Sequence, residues 1–428
     1  MAALTENGTK AGRAVVIGAG NSAGNCQSIV KKLDNTTDEL KTVLGAAMAT
    51  QSDLPVPVTY NANYSLYAID YQDFSVELKV VDLKTGEISD MGNHVLDALG
   101  APIEVSLYKD NVPTLAGGTA VVYSLGLTNS GIHLDKDNYR LIFVVKAAHD
   151  GQTIKMICSG KDNAEPCFDA PAGLTGFTKG NGDFTINTLI CNDYVISVGS
   201  YITRNVWTNY KNEASWYIES KLTGMNQEIG EISDFSSYGI DDNGKARPIL
   251  LAPGQGLISG ANNYDESLFL KGTPGAVDES NVSTFLCSYV EKHGRKNWYL
   301  LSQGTSMSTP VTSGIVALWL QAKPTLTTNE ILSVLKKTCV NDDFTTNVAR
   351  IPSGNKVQAG WGKIDCLAGL EAILGTTDIE SISMDGHREA IPSTMYSVDA
   401  PVYNMMGQRV NKSQNGLVIY KGRKYVNK

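Results

Sequence analysis

The sequence predicts an α/β protein, a parallel sheet flanked by helices, with an antiparallel β-sandwich inserted in it and a small β module at its C-terminus. Three observations carry that expectation. An apolar run from Arg13 to Gly18 leads straight into the turn GAGN, alternating apolar and polar residues fill roughly 55 to 170, and a long apolar stretch opens at Ser306. The chain then divides into 1–50 and 173–375 as two parts of one α/β domain, 51–172 as the inserted sandwich, and 376–428 as linker and C-terminal module.

In chain order, residues 2 to 5 read as the last turn of a helix stopped by Asn7-Gly8, and Arg13 to Gly18 as a buried parallel strand. Gly18, Gly20 and Ala23 match a dinucleotide fingerprint, but SIVKKLDNTTDELKTVLGAAMA after them reads as polar helix where that motif needs a second strand. Farther on, Val76 to Val80, Ile103 to Leu107, Tyr139 to Lys146 and Gln152 to Ile157 alternate like strands. Lys-Thr-Gly, Lys-Asp-Asn and His-Asp-Gly turns separate them. Ser306 to Trp319 has the length of a core helix, with Gly304 before it and Pro310 in its first turn. Thr327 to Glu330 is a capping box for the next helix, and the tail from Val402 reads as two or three strands with turns at Gly407 and Asn415-Gly416.

Composition narrows the function classes. A length of 428 residues indicates two or three domains, and a formal charge of -8 leaves no basic surface for nucleic acid. Charged residues at 19% and 41 glycines fit a loop-rich enzyme. No run of eighteen apolar residues would span a membrane, and MAALTENGTK lacks the apolar core of a signal peptide. Seven irregularly spaced cysteines form no metal-binding pattern; Cys158 and Cys167 could close a small loop, the others reading as buried or unpaired thiols.

The string GTSMSTPVTSG from Gly304 resembles the nucleophile motif of the subtilisin-like serine proteases. VVIGAGN, Val15 to Asn21, resembles that family's oxyanion strand, and the block from Ile232 to Ser259 its pre-serine segment, with Ile249 where the family commonly has aspartate. GDFTINTLICNDYVISVGSY and GWGKIDCLAGLEAIL resemble further family segments, and the tail looks like C-terminal modules of exported Bacteroidetes proteins.

The resemblance implies a serine endopeptidase acting on protein or peptide substrates through an acyl-enzyme. Ser306 would be the nucleophile, its N–H and the Asn21 amide the oxyanion donors, and Ile17, Gly18, Ala19 and Gly20, with Gly304 and Thr305, the substrate-binding wall. It implies no metal in catalysis and no cofactor beyond an optional structural calcium, a secreted or cell-envelope location, and export machinery as a partner of the tail. The family's aspartate and HGT-type histidine motifs precede the asparagine strand. None of His94, His133, His149, His293 or His387 resembles that histidine motif, so the expectation is an N-terminally truncated chain, inactive alone. The alternative is a non-catalytic pseudoprotease whose sandwich binds peptide or carbohydrate.

Overall fold

A computed structural model describes residues 2–45, 62–96, 101–102, 105, 107–113, 119–127, 133–134, 138–160, 166–216, 227–241, 243–266, 268–277 and 285–375, and the backbone of four strands within 402–427. The chain forms two compact units, Met1–Asp365 and Cys366–Lys428.

The first unit contains a five-stranded main sheet in the order Val16–Gly18, Ile196–Ile202, Leu250–Gly260, Arg295–Gln303, Leu286–Lys292. Its first three strands run parallel and the last two form an antiparallel hairpin. Ile196–Ile202 is buried at every position but Tyr201, as a central parallel strand covered on both faces must be. Only Val16–Gly18 pairs at the end of the sheet. The buried strand expected over Arg13 to Gly18 is therefore shorter and half-buried, because no strand lies beyond it among the described residues.

The helix Thr305–Ala322 packs on this sheet against Val16–Gly18, Ile196–Ile202 and Leu250–Gly260. Its buried residues, Thr305, Ser308, Thr312, Val316 and Trp319, follow the three-and-four spacing of one helical face. The opposite face, with Ser306, Pro310, Ser313, Gly314, Ala317 and Leu318, is exposed. The expectation of a core helix is corrected on both counts: the helix extends past Ser306 to Trp319 at each end and is covered on one side only. Pro310 falls in its second turn, where it deprives the Ser306 carbonyl of its helical donor. The capping box is as expected, with Thr327 Oγ1 accepting from Glu330 N–H and the Glu330 carboxylate accepting from Thr327 N–H.

Two further five-stranded sheets, both antiparallel, lie in the chain between Asn21 and Ile196. Their facing residues form one apolar cluster, including Ile29, Leu40, Leu66, Phe143, Met156 and Phe168, with Tyr64 edge-on to Phe143 at 5.8 Å. The segment expected to be helical is in fact the strands Ser28–Lys32 and Glu39–Gly45, one in each sheet. Leu40 and Leu44 are buried in that cluster, and the Asp38 carboxylate accepts from Asp34 and Asn35 N–H to make the turn between the strands. Antiparallel pairing thus begins at Ser28, well before residue 51. Of the two Lys-Asp-Asn strings between Leu107 and Tyr139, Lys109-Asp110-Asn111 lies inside the strand Tyr108–Pro113 and residues 136 and 137 of the other lie outside the described residues, as does most of Ile103 to Leu107.

No disulfide joins any of the seven cysteines, so no Cys158–Cys167 bridge closes a loop. The Cys158 thiol contacts the carbonyls of Gln27 and Pro166 instead. Burial pushes the Cys167 thiol up to about 11 and raises Cys158 further, which keeps both protonated at neutral pH.

The second unit has the helix Cys366–Leu374 and a four-stranded antiparallel sheet in the order Arg409–Val410, Val402–Asn404, Gly416–Tyr420, Arg423–Asn427. That is one strand more than expected; the linker 376–392, Gly407 and Asn415 lie outside the described residues.

His149 offers a pH test of the antiparallel unit. Its Nε2 lies 2.6 Å from Asp70 Oδ2 and its Nδ1 3.1 Å from the Asp150 carbonyl, joining two loops. The Asp150 carbonyl and then the Asp70 carboxylate raise the His149 pKa. For Asp70, burial works upward but is outweighed by hydrogen bonds from Gln72, His149 and Gln152, so its pKa is lowered. The histidine contribution is full below its unfolded value of about 6.5 and is lost as pH rises through the raised value. The carboxylate contribution is present above about 4 and is lost as pH falls. Thermal denaturation should therefore show the wild type losing stability relative to His149→Ala as pH rises above about 6.5.

Candidate active site

The site forms where the strand Arg295–Gln303 turns into the helix at Gly304. Gly304 has φ of 137°, a backbone setting that favours glycine, and its N–H donates to the Gly254 carbonyl at 2.8 Å. Asn21 arrives from the carboxyl end of Val16–Gly18, the end of a parallel strand at which α/β sheets bind ligands. Thr305 N–H donates to Asn21 Oδ1 at 2.8 Å and Thr305 Oγ1 donates to the same oxygen at 3.1 Å. The Thr305 hydroxyl also accepts from Gly20 N–H at 3.1 Å.

With its oxygen held twice, the Asn21 carboxamide has no hydrogen-bond partner for its NH2 end among the described residues, and that end lies 3.3 Å from where a Cβ on Gly304 would stand. The next residue, Ser306, is exposed, and neither its N–H nor its hydroxyl has a hydrogen-bond partner among the described residues. An N–H in the first turn of a helix lacks an intrahelical acceptor and sits at the positive end of the dipole. The site thus offers a free hydroxyl, a free amide N–H and a side-chain NH2 at one helix N-terminus, an arrangement able to hold an oxyanion beside a nucleophile.

The remaining expected site residues divide. Gly18 stands against the helix: a Cβ there would lie 2.9 Å from Thr305 Oγ1 and 3.0 Å from its carbonyl oxygen. Gly20 has φ of 118°, and a Cβ on it would lie 2.9 Å from Ser237 Oγ. Ile17, Gly18 and Gly20 are half-buried, whereas Ala19 has no exposed surface. It packs among Phe184, Ile186, Ile190 and Val195, and its peptide groups bond Val198 and Asn187. The glycines that match a dinucleotide fingerprint are therefore needed for close packing, and the chain continues into strands rather than the helix that fingerprint requires.

Thr305, expected against substrate, holds Asn21, and Ser237 Oγ accepts from Ser22 N–H to fix the following turn. No residue pattern marks Ser237 for that contact. Among the described residues no group of three or more His, Cys, Asp or Glu is placed to hold a metal ion.

No described histidine is placed with Ser306. The His94 ring lies 4.3 Å from the Tyr139 ring, His133 is in a strand paired with Val95–Leu96, and His149 is held by Asp70. His293 is closest in sequence but forms the exposed turn of the outer hairpin, with φ of 54°. The strand Arg295–Gln303 then carries the chain roughly 30 Å before it reaches Gly304. His387 lies outside the described residues.

Fold and site together define an α/β protein with an exposed serine in the first turn of a helix, beside the carboxyl end of a parallel strand. A model of the subtilase family, peptidase S8, matches residues 99–362, and the chain belongs to that family. The serine protease AprX of Bacillus subtilis is 34% identical over 105 residues, 24% of this chain and 20% of that protein. Among solved structures, the CspB protease of Clostridium perfringens is similar at a TM-score of 0.45 and 17% identity, over 84% of this chain and 60% of that one. The patellamide maturation protease PatG is similar at a TM-score of 0.23 and 20% identity, over 43% and 45% of the two chains. The chain thus spans about a fifth of the curated relative and 60% or less of the two solved chains.

Two substitutions test the Asn21–Thr305 contact. Thr305→Val leaves Gly20 N–H unpaired and should cost about 1–3 kcal/mol in denaturant unfolding. Gly18→Ala drives a methyl into Thr305 and should cost about as much. Losses under about 0.5 kcal/mol in both would mean that the helix is positioned by other contacts.

Proposed function

We propose that this chain carries the nucleophile half of a subtilisin-like serine endopeptidase. Ser306 Oγ attacks the scissile carbonyl, and the oxygen that becomes negative is received by Asn21 Nδ2 and Ser306 N–H. The observation that carries this reading is the Asn21 carboxamide, fixed by Thr305 and with its NH2 end unpartnered among the described residues, beside the helix that bears exposed Ser306. In subtilisin itself, removing such an asparagine costs about 2.7–4 kcal/mol of transition-state stabilisation. Thr305 acts here as a positioning residue. Ile17, Gly18 and Gly20 bound the substrate through the half-buried strand end, and Gly304 leaves room beside the amide.

The base comes from outside the described residues. A histidine with its orienting carboxylate would arrive on a further polypeptide segment, which would pair with the open edge of Val16–Gly18 and cover the exposed face of the helix. Until then Ser306 keeps its proton at neutral pH. On this reading the antiparallel sheets are a jelly-roll-like insertion. The C-terminal strands are a sorting module that delivers the protein to the cell envelope or beyond through export machinery.

A fluorophosphonate probe and casein cleavage test the proposal. The chain alone should label and cleave about 10⁶-fold below the completed enzyme. A longer reading frame, or a supplied segment with the histidine motif, should restore both activities, and Ser306→Ala should abolish them. Ser306-dependent turnover by the chain alone would show that one of its own histidines is the base, while a completed form inert to probe and casein would favour the binding-module reading.

A further inference from the structure

The hairpin Leu286–Lys292 and Arg295–Gln303 closes the far side of the main sheet, and among the described residues its outer strand is bonded on that side at its base alone, where Tyr210 N–H donates to the Leu286 carbonyl. From Ser288 to Lys292 no strand lies beside it among the described residues. An open edge of this kind accepts an extended polypeptide through backbone hydrogen bonds.

The side chains specify what kind. Lys292 stands directly opposite Arg295 across the hairpin, followed on the same face by Val290 opposite Asn297 and Ser288 opposite Tyr299. Like charges directly opposite each other destabilise a hairpin. Neither Lys292 nor Arg295 has an ion-pair partner among the described residues, and exposed His293 lies at the turn between them. On the other face, Lys296 Nζ lies 4.4 Å from the Tyr289 ring, and the acidic Glu291 shares that face rather than the Lys292–Arg295 one. Val290 and Tyr299 are 52% and 37% exposed, an apolar strip beside the paired bases. A chain of formal charge -8 thus keeps an uncompensated pair of bases at the tip of an open strand.

We propose that the outer strand Leu286–Lys292 docks an acidic, extended polypeptide segment of a partner protein as a sixth strand of the main sheet. Carboxylates of the segment meet Lys292 and Arg295, and its apolar side chains lie on Val290 and Tyr299. The inference does not depend on catalysis at Ser306.

The test uses the full chain and a blocked, fluorescein-labelled peptide of alternating Glu and Val, followed by fluorescence anisotropy. Binding should be measurable at low salt and weaken as ionic strength rises, and a peptide of alternating Lys and Val should not bind. Methylating alternate peptide nitrogens preserves charge but prevents strand pairing, so it should abolish binding. Lys292→Glu is the decisive variant. It replaces a repulsive cross-strand pair with an attractive one, so it should hold or raise the thermal midpoint while weakening the peptide at least about tenfold. A lowered midpoint accompanying weaker binding would mean damage to the fold; Arg295→Glu makes the same attractive pair from the other strand, and loss of both properties in both variants would overturn the proposal. So would unchanged affinity in either variant, or equal binding of the methylated peptide, which would leave only a nonspecific basic patch.

Discussion

The contact between Asn21 and Thr305 joins residues 284 positions apart, and the rest of the site depends on it. One carboxamide oxygen takes both donors that Thr305 offers, and the Thr305 hydroxyl satisfies Gly20 in turn. Strand end and helix start are thereby fixed to each other by groups of neutral charge, largely independent of pH and salt. The same bonds decide which end of the Asn21 amide is free. A threonine with its hydroxyl removed would leave the asparagine with one partner and a choice of rotamers.

Such a long-range contact forms only if the intervening chain returns to its starting point. The antiparallel unit arranges that return: Ser28 and Asn181 exchange backbone hydrogen bonds at 3.1 and 2.8 Å, and Ser28 Oγ also donates to the Asn181 carbonyl at 3.0 Å. Entry and exit therefore lie side by side, and the folded unit replaces a loop-closure cost that would otherwise grow with length. The main sheet experiences the two five-stranded sheets as little more than a short connection.

Close approach of helix to sheet is secured by small residues. Gly18 faces Thr305, and Gly254 faces both Ser308 and Ser200, where any added carbon would collide. The buried hydroxyls along this seam find partners: Ser308 donates to the Ala252 carbonyl at 3.2 Å, Thr312 to the Ser308 carbonyl at 3.1 Å, and Ser200 lies 2.7 Å from Ser233. A seam of larger apolar residues would hold the helix farther out and carry Ser306 away from Asn21. Among the described residues no such seam covers the opposite side of the helix, and Leu318 there is 52% exposed.

Legible in the residues alone were a strand leading into the Gly18–Asn21 turn, a helix after Gly304, the capping box at Thr327 and the extended character of Val76 to Val80 and Tyr139 to Lys146. Those features rest on short-range patterns of apolar spacing, glycine and capping side chains, which act within a few residues of themselves. The sequence also carried the motifs at Asn21 and Ser306, since a specific string persists whatever surrounds it. Only tertiary structure decided that Ser28–Lys32 and Glu39–Gly45 are strands rather than parts of a helix. Their local composition is ambiguous, and the deciding term is burial of Leu40 and Leu44 against Tyr64, Phe143 and Phe168 from distant parts of the chain. It likewise decided that Ala19 faces the core, that Thr305 holds Asn21, and that His293, thirteen positions from Ser306, stands a strand's length away. Sequence separation is not distance once a strand is extended, and a hydrogen bond between residues 284 apart leaves no periodic trace in either segment.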